Sequence, residues 1–181
     1  MLGFSMSDRV ILIESSHAEP TADLLGQFGF KIVGENPDFI VSHGGDGTIL
    51  ASEEHYPGVP KIILRGSPIC KKCLKLTNEE ILTRVRAGDF SIVEHTKIRL
   101  EAGGQKLIGL NDVTIRNQNP RHAIRYHFWK DDRPIGHEII GDGVVVATPF
   151  GSSAYFRSIT DSVFEVGLGV AFNNSTEQLD H

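Results

Sequence analysis

The sequence predicts a layered α/β domain over residues 1–89 followed by a β-rich domain over residues 90–181. Two observations carry this. Short apolar runs alternate with helix-like segments up to Gly88, the signature of layered α/β structure. Beyond Phe90 the helical periodicity gives way to long strand-like runs broken by turn residues. At 181 residues, with 40% hydrophobic and 23% charged residues, the chain has the composition of an ordinary globular protein. It can bury a core without cross-links.

In chain order, "RVILIE" (Arg9 to Glu14) reads as a buried strand. "EPTADLLGQFGF" offers Pro20 at the first turn of a helix, Leu24, Leu25 and Phe28 on one side, and Gly29 as the stop. "DFIVS" is the next strand, "TILASEEHY" a helix, and "KIIL" (Lys61 to Leu64) another buried strand after Pro57, Gly58 and Pro60. Thr77 followed by Glu80 is a capping box, Ile81, Leu82 and Val85 form a helical stripe, and Gly88 ends it. "FSIVEHTKIRLEAGGQKLIGLNDVTIRN" and "AIRYHFWKDDRPIGHEIIGDGVVVAT" read as strands broken at Gly103–Gly104 and at Lys130 to Asp132.

A net charge of −5 argues against a protein whose main work is gripping nucleic acid, which needs a concentrated basic face. No stretch approaches the roughly 18 uninterrupted apolar residues of a membrane span, and the N-terminus lacks a basic region followed by an apolar one. The expectation is therefore a cytoplasmic protein without membrane or nucleic-acid partners. Cys70 and Cys73 form "CKKC", a spacing that suits a redox pair or half of a zinc site. The plainer reading, which we favour, is a pair of reduced loop thiols.

Three segments carry chemistry. In "HGGDGT" a strand runs through glycines into a helix, an arrangement built for phosphate. Glycines let the backbone turn with positive φ and approach a ligand, and the helix N-terminus aims N–H groups at an anion. Gly44, Gly45, Gly47 and Thr48 fit that role, although the pattern is neither the lysine-bearing phosphate loop nor the dinucleotide fingerprint. Asp46 in its middle is unfavourable beside phosphate unless it contacts a cation, accepts a proton or hydrogen-bonds a hydroxyl. Those roles belong to phosphoryl transfer onto an alcohol. The bland alternative is an Asx-type turn onto its own backbone. His43 could touch a phosphate or metal, or simply be solvated or hydrogen-bonded at a strand end.

In "GLNDVTIRN", Asn111 and Asp112 interrupt an apolar strand, so a bulge or ligand justifies them, with a plain turn as rival. "GDGVVVATPFGSSAYFRS" runs from a strand through Thr-Pro into a turn rich in small hydroxyls, with Tyr155 just beyond. Strand-turn chemistry explains its Pro and Gly but not so many hydroxyls. "RNQNPRHAIRYHFWK" gathers Arg116, Arg121, Arg125 and several His near Trp129; a solvated loop and strand edge explains it without function.

With GGDGT, an Asn-acid pair and a TP-x-GS-x-AY segment in that order, the chain from about Arg9 to Ser158 resembles the NAD kinases. These enzymes phosphorylate the adenosine ribose 2′-hydroxyl of NAD to make NADP. GGDGT alone is shared with diacylglycerol and sphingosine kinases and, loosely, with 6-phosphofructokinases; the third segment favours NAD. The resemblance implies a Rossmann-like layered α/β domain, a β-rich NAD-binding domain and a ligand cleft between them. It implies that Asp46 orients or deprotonates the 2′-hydroxyl while Gly44, Gly45, Gly47 and Thr48 hold ATP phosphates. Asn111 and Asp112 match the pair contacting the NAD ribose and adenine region, with Asp112 one methylene short of the usual Glu. Asp142 falls near the nicotinamide end, and Ala154, Tyr155 and Ser158 match adenine- and ribose-contacting positions, with Ser153 in place of the more usual Thr.

The resemblance further implies ATP or polyphosphate as donor, Mg²⁺ or another divalent cation, and a homo-oligomer, dimer or tetramer. The alternatives are a lipid or sugar kinase sharing only GGDGT, and an inactive nucleotide-binding protein. "RGSPICKKCLKL" stands where the family usually has Gly-Ile-Asn and a glycine-phenylalanine stretch, and the frequent Gly-Gly-Pro after Ser158 is absent. The expectation at the C-terminus is a compact variant or a chain lacking part of the family's natural end.

Overall fold

The computed structural model describes residues 8–15 and 20–176. Contacts divide the chain into two units, Met1–Val93 and Glu94–His181.

In the first unit, β1 (Arg9–Glu14), β2 (Lys31–Ile32), β3 (Phe39–Gly44) and β4 (Lys61–Arg65) form a parallel sheet in the order β2-β1-β3-β4. Between them run α1 (Ala22–Gln27) and α2 (Asp46–His55), and α3 (Asn78–Ala87) follows β4. A parallel sheet flanked by helices is covered on both faces, so its inner strands are apolar throughout. β3 is accordingly buried along its whole length. Alternate strand residues Val10, Phe39, Val41, Ile62 and Leu64 pack with Leu25 of α1 and Ile81, Leu82 and Val85 of α3 in one cluster.

α3 has both bonds of the predicted capping box: Glu80 N–H donates to Thr77 Oγ1 (3.1 Å) and Thr77 N–H to Glu80 Oε2 (2.7 Å). Gly88 closes it in the left-handed region (φ 71°). Two expectations shift. α1 begins after Pro20, at Ala22, and α2 begins two residues before Thr48, so that Asp46 and Gly47 lie in its first turn.

The second unit is built from antiparallel pairs. β5 (Ile98–Ala102) and β6 (Gln105–Gly109) join through Gly103–Gly104, both at positive φ (57° and 77°), as a tight hairpin requires. β8 (Ile124–Lys130) and β9 (Arg133–Gly141) join through Asp131 and Asp132, also at positive φ, with an irregularity between Tyr126 and Phe128. β7 (Asp112–Arg116), β10 (Gly143–Ala147) and β11 (Gly169–Asn173) make a three-stranded sheet in the order β11-β10-β7. A wide, kinked helical turn at Ser152–Phe156 and a short helix α4 (Arg157–Thr160) lie between β10 and β11. Val145, Ala147, Phe156 and Ala171 form the core.

The strand expected from Phe90 starts only at Ile98, because residues 91–96 are exposed and pair with no neighbouring strand. β11 was not signalled by the sequence reading. The architecture is an α/β unit with a parallel sheet followed by a β-rich unit.

Candidate functional site

In the first unit the site is the β3–α2 junction. β3 ends at Gly44, Gly45 is the N-cap of α2 with extended backbone (φ −115°, ψ −165°), and Asp46 opens the helix. A glycine cap brings no side chain to the first-turn N–H groups, which leaves that end without a side-chain acceptor. Thr48 N–H and Ile49 N–H already turn back to Gly45 O, at 3.0 and 3.3 Å.

Gly44 and Gly45 are needed for space rather than for positive φ, contrary to expectation: none of Gly44, Gly45 and Gly47 adopts it. A Cβ on Gly44 would lie 2.1 Å from Thr48 Oγ1 and 3.0 Å from Ser15 Cβ. One on Gly45 would meet Ile69 O at 3.1 Å. Gly47 faces open space, with no atom within 4 Å of such a Cβ. The junction is thus packed closely behind and open in front.

The Asp46 carboxylate is held from outside its own helix. Its Oδ1 accepts the backbone N–H of Lys72 at 3.0 Å, from the loop after β4, and lies 3.3 Å from Cys70 Sγ. Cys70 and Cys73 are joined as a disulfide, which replaces the expected pair of reduced thiols. Their Cα atoms are 5.5 Å apart, within bridging range. Burial holds the Lys72 ammonium below its ordinary value, against an upward pull from Asp46 and with a further downward push from Lys71.

His43 is buried at the end of β3, its Nδ1 2.5 Å from Thr21 Oγ1 and 3.3 Å from Glu14 Oε1; Thr21 N–H also donates to Glu14 (2.8 Å). It is therefore a hydrogen-bonded strand-end histidine, the plainer of its two readings.

In the second unit, Asn111 sits in the bend between β6 and β7, and Asp112 begins β7 opposite Ala147. The predicted turn segment is tied to them. Thr148 N–H donates to Asn111 O at 2.9 Å, and the fully buried Thr148 hydroxyl donates to Leu110 O at 2.6 Å and accepts Gly151 N–H at 3.0 Å. A Cβ on Gly151 would stand 1.9 Å from Asn111 O, so only glycine allows this approach. Asn111 Oδ1 is buried with no protein donor. Such an atom is costly unless something donates to it. Burial raises the pKa of Asp112, opposed by a hydrogen bond from Thr114.

Ser153, Ala154 and Tyr155 lie in the wide turn, where Ala154 departs from helical backbone (φ −97°, ψ −121°), and Ser158 Oγ donates to Tyr155 O at 2.7 Å. Asp142 and Tyr155 share a cavity of about 180 Å³ with Thr114, Arg116, His122 and Asn173. Ligand pockets typically span about 300–1,000 Å³, so this cavity has room for only part of a ligand. Asn111, Asp112, Ser153, Ala154 and Ser158 do not line it. The sequence reading missed Asn173, whose amide donates to Tyr155 Oη at 3.1 Å, and Asn174, whose amide donates to Asp142 Oδ2 at 3.1 Å. The apolar run "GVAF" directly before this Asn-Asn pair was the available signal. Arg116, read as a solvated residue, is a cavity wall.

Among the described residues no cluster of three or more His, Cys, Asp or Glu side chains could hold a metal by itself. No helix among them is long and apolar enough to cross a membrane.

No protein-family model matches the chain. Individual relatives do. The NAD kinase of Methanopyrus kandleri is 34% identical over 143 residues, which is 75% of this chain and 50% of that protein. The NAD kinase of Pyrococcus abyssi is 32% identical over 126 residues, 67% of this chain and 45% of that one. Among solved structures, yeast NADH kinase complexed with NADH matches with a TM-score of 0.74 at 15% identity, covering 94% of this chain and 63% of that chain. An NAD kinase from Archaeoglobus fulgidus in complex with ATP matches with a TM-score of 0.70 at 20% identity, covering 94% and 73%. The chain spans about half the length of the curated relatives it matches. Sequence similarity over most of its residues, together with the shared fold, places this chain in the NAD kinase family.

Proposed function

We propose that the chain carries the transfer site of an NAD kinase, moving the γ-phosphoryl group of ATP to the adenosine ribose 2′-hydroxyl of NAD to form NADP. The observation that carries this reading is Asp46 in the first turn of α2, behind an N-cap glycine and ahead of the open Gly47. Phosphates approach the backbone at Gly44, Gly45, Gly47 and Thr48, where the helix N-terminus favours anions. One oxygen of Asp46 is occupied by Lys72 N–H, which fixes the carboxylate so that it can take the proton of the attacking hydroxyl. The 2′-oxygen bonds to the γ-phosphorus as the bond to the ADP oxygen breaks.

In the same reading Asn111 and Asp112 contact the ribose and adenine region, Asn111 Oδ1 offering an acceptor that no protein group uses. Asp142 faces the nicotinamide end, and Ser153, Ala154, Tyr155 and Ser158 the adenine and ribose. Mg²⁺ usually keeps several waters and binds through one or two carboxylates plus substrate phosphates, which suits the Asp46 carboxylate at a loop where no cluster of three or more ligand side chains lies among the described residues. Such an ion neutralises phosphate charge during transfer. A cytoplasmic homo-oligomer, dimer or tetramer, completes the proposal.

The test is a coupled assay for NADP from NAD, ATP and Mg²⁺, with polyphosphate, diacylglycerol and sugar acceptors as parallel arms. NADP formation supports the reading. Phosphorylation of only a lipid or sugar, or tight NAD binding with no NADP, replaces it.

A further inference from the structure

The Cys70–Cys73 bridge occupies a position that the proposed chemistry does not explain. It lies against the glycine loop: Cys70 Sγ is 3.3 Å from Asp46 Oδ1, Cys73 Sγ is 3.9 Å from Gly44 O, and a Cβ on Gly45 would meet Ile69 O at 3.1 Å. Lys72, inside the four-residue ring, gives its N–H to Asp46. Cys73 N–H points at Cys70 Sγ at 3.1 Å. Arg65 reaches Cys70 O and Cys73 O at 3.5 and 3.3 Å, which tethers the loop to β4 whatever the state of the sulfurs. Both cysteines are partly exposed.

We propose that Cys70 and Cys73 form a thiol–disulfide exchange site, open to a dithiol reductant, whose state sets how firmly the loop holds the Asp46 carboxylate. The inference rests on the reading of Asp46 as the transfer residue. A thiolate of the reductant attacks one bridge sulfur to form a mixed disulfide, and the displaced cysteine sulfur takes up a proton. The second thiol of the reductant then releases the other cysteine. The reductant leaves as a disulfide, oxidised by two electrons, and the protein gains two electrons and two protons.

Closing the ring holds Lys72 N–H on Asp46. Opening it frees the loop between its tethers, so that the ring no longer holds the Lys72 N–H at Asp46. The bridged form is therefore the positioned form, and reduction loosens the carboxylate.

The experiment compares the full chain after oxidation with the same protein reduced by dithiothreitol. It reads thiols by alkylation and mass, the hydrogen exchange of the Lys72 amide, and NADP formation. Two alkylatable thiols should appear only on reduction, with faster Lys72 exchange and kcat lowered roughly 10- to 100-fold, as a misplaced reacting group entails. Reoxidation should restore both. Cys70→Ser/Cys73→Ser should behave as the reduced protein with or without dithiothreitol. Thiols that alkylate after oxidation, unchanged Lys72 exchange, or unchanged turnover of an active enzyme overturns the proposal. If neither form makes NADP, the assignment of Asp46 fails, while faster Lys72 exchange on reduction still supports a redox-dependent grip.

Discussion

Thr148 and Asn111, 37 residues apart, are joined twice: the Thr148 N–H and hydroxyl both lie within hydrogen-bond distance of Asn111 O, at 2.9 and 3.2 Å. The same hydroxyl serves Leu110 O and Gly151 N–H. One buried oxygen thus holds the bend before β7 against the turn after β10. Thr148→Val keeps the shape but leaves Gly151 N–H and Leu110 O without that partner. Each orphaned buried group costs about 1–3 kcal/mol. Urea unfolding should show a lower midpoint, and under the proposed function NAD affinity should fall with it.

Gly44→Ala should disturb the loop by crowding. Its Cβ would lie 2.1 Å from Thr48 Oγ1 and 2.9 Å from Thr48 Cβ, so α2 itself has to move. Overpacking of this kind typically costs about 1–3 kcal/mol. Gly47→Ala meets open space and should leave stability within about 0.5 kcal/mol, as exposed substitutions do. Thermal unfolding of the two variants side by side checks the contrast. ATP binding should weaken in both if phosphates approach at these positions.

Asp46→Asn keeps an acceptor for Lys72 N–H but removes the proton acceptor. NADP formation should drop by about 10²–10⁴, the range for losing a positioned general base. The unfolding midpoint should stay near wild type. Wild-type turnover by this variant would refute the role assigned to Asp46.

The pH dependence of stability tests Asp112. Burial raises its pKa above the ordinary 3.8, so the folded state holds the proton where the unfolded chain has released it. In that window the folded state binds more protons, and stability falls as pH rises through it. Asp112→Asn cannot titrate. Its stability should therefore gain on wild type as pH climbs above the ordinary carboxylate range, with the gap smallest below it. Denaturation midpoints across an acid-to-neutral series give the comparison; parallel curves would show that Asp112 is solvated in both states.

Local backbone chemistry made part of this protein readable from its residues. The Thr77–Glu80 capping box, the Gly88 stop and the Gly103–Gly104 hairpin each act within one turn, and each is found where the pattern put it. The period of the apolar residues likewise marked β1, β3 and β4. GGDGT announced a strand-to-helix junction, but not why Gly44 and Gly45 are glycines: Thr48, Ser15 and Ile69 crowd them, and that crowding exists only once the sheet and loop are packed. The exposed stretch at the boundary of the two units, residues 91–96, reads as strand by composition yet pairs with no neighbouring strand, because a strand is completed by a neighbour rather than by its own residues.

The sequence by itself determined the principal strands and helices of the first unit, the family resemblance and the acid at the centre of the loop. Tertiary structure alone decided what holds that acid. Lys72 is 26 residues from Asp46, Thr148 is 37 from Asn111, and Asn174 is 32 from Asp142. Propensity and capping act over a few residues of backbone, whereas these contacts depend on how β3 and β4, and β7, β10 and β11, lie side by side. Strand pairing brings distant residues within hydrogen-bond distance only after long loops have closed, and no short-range pattern specifies which pairs will meet.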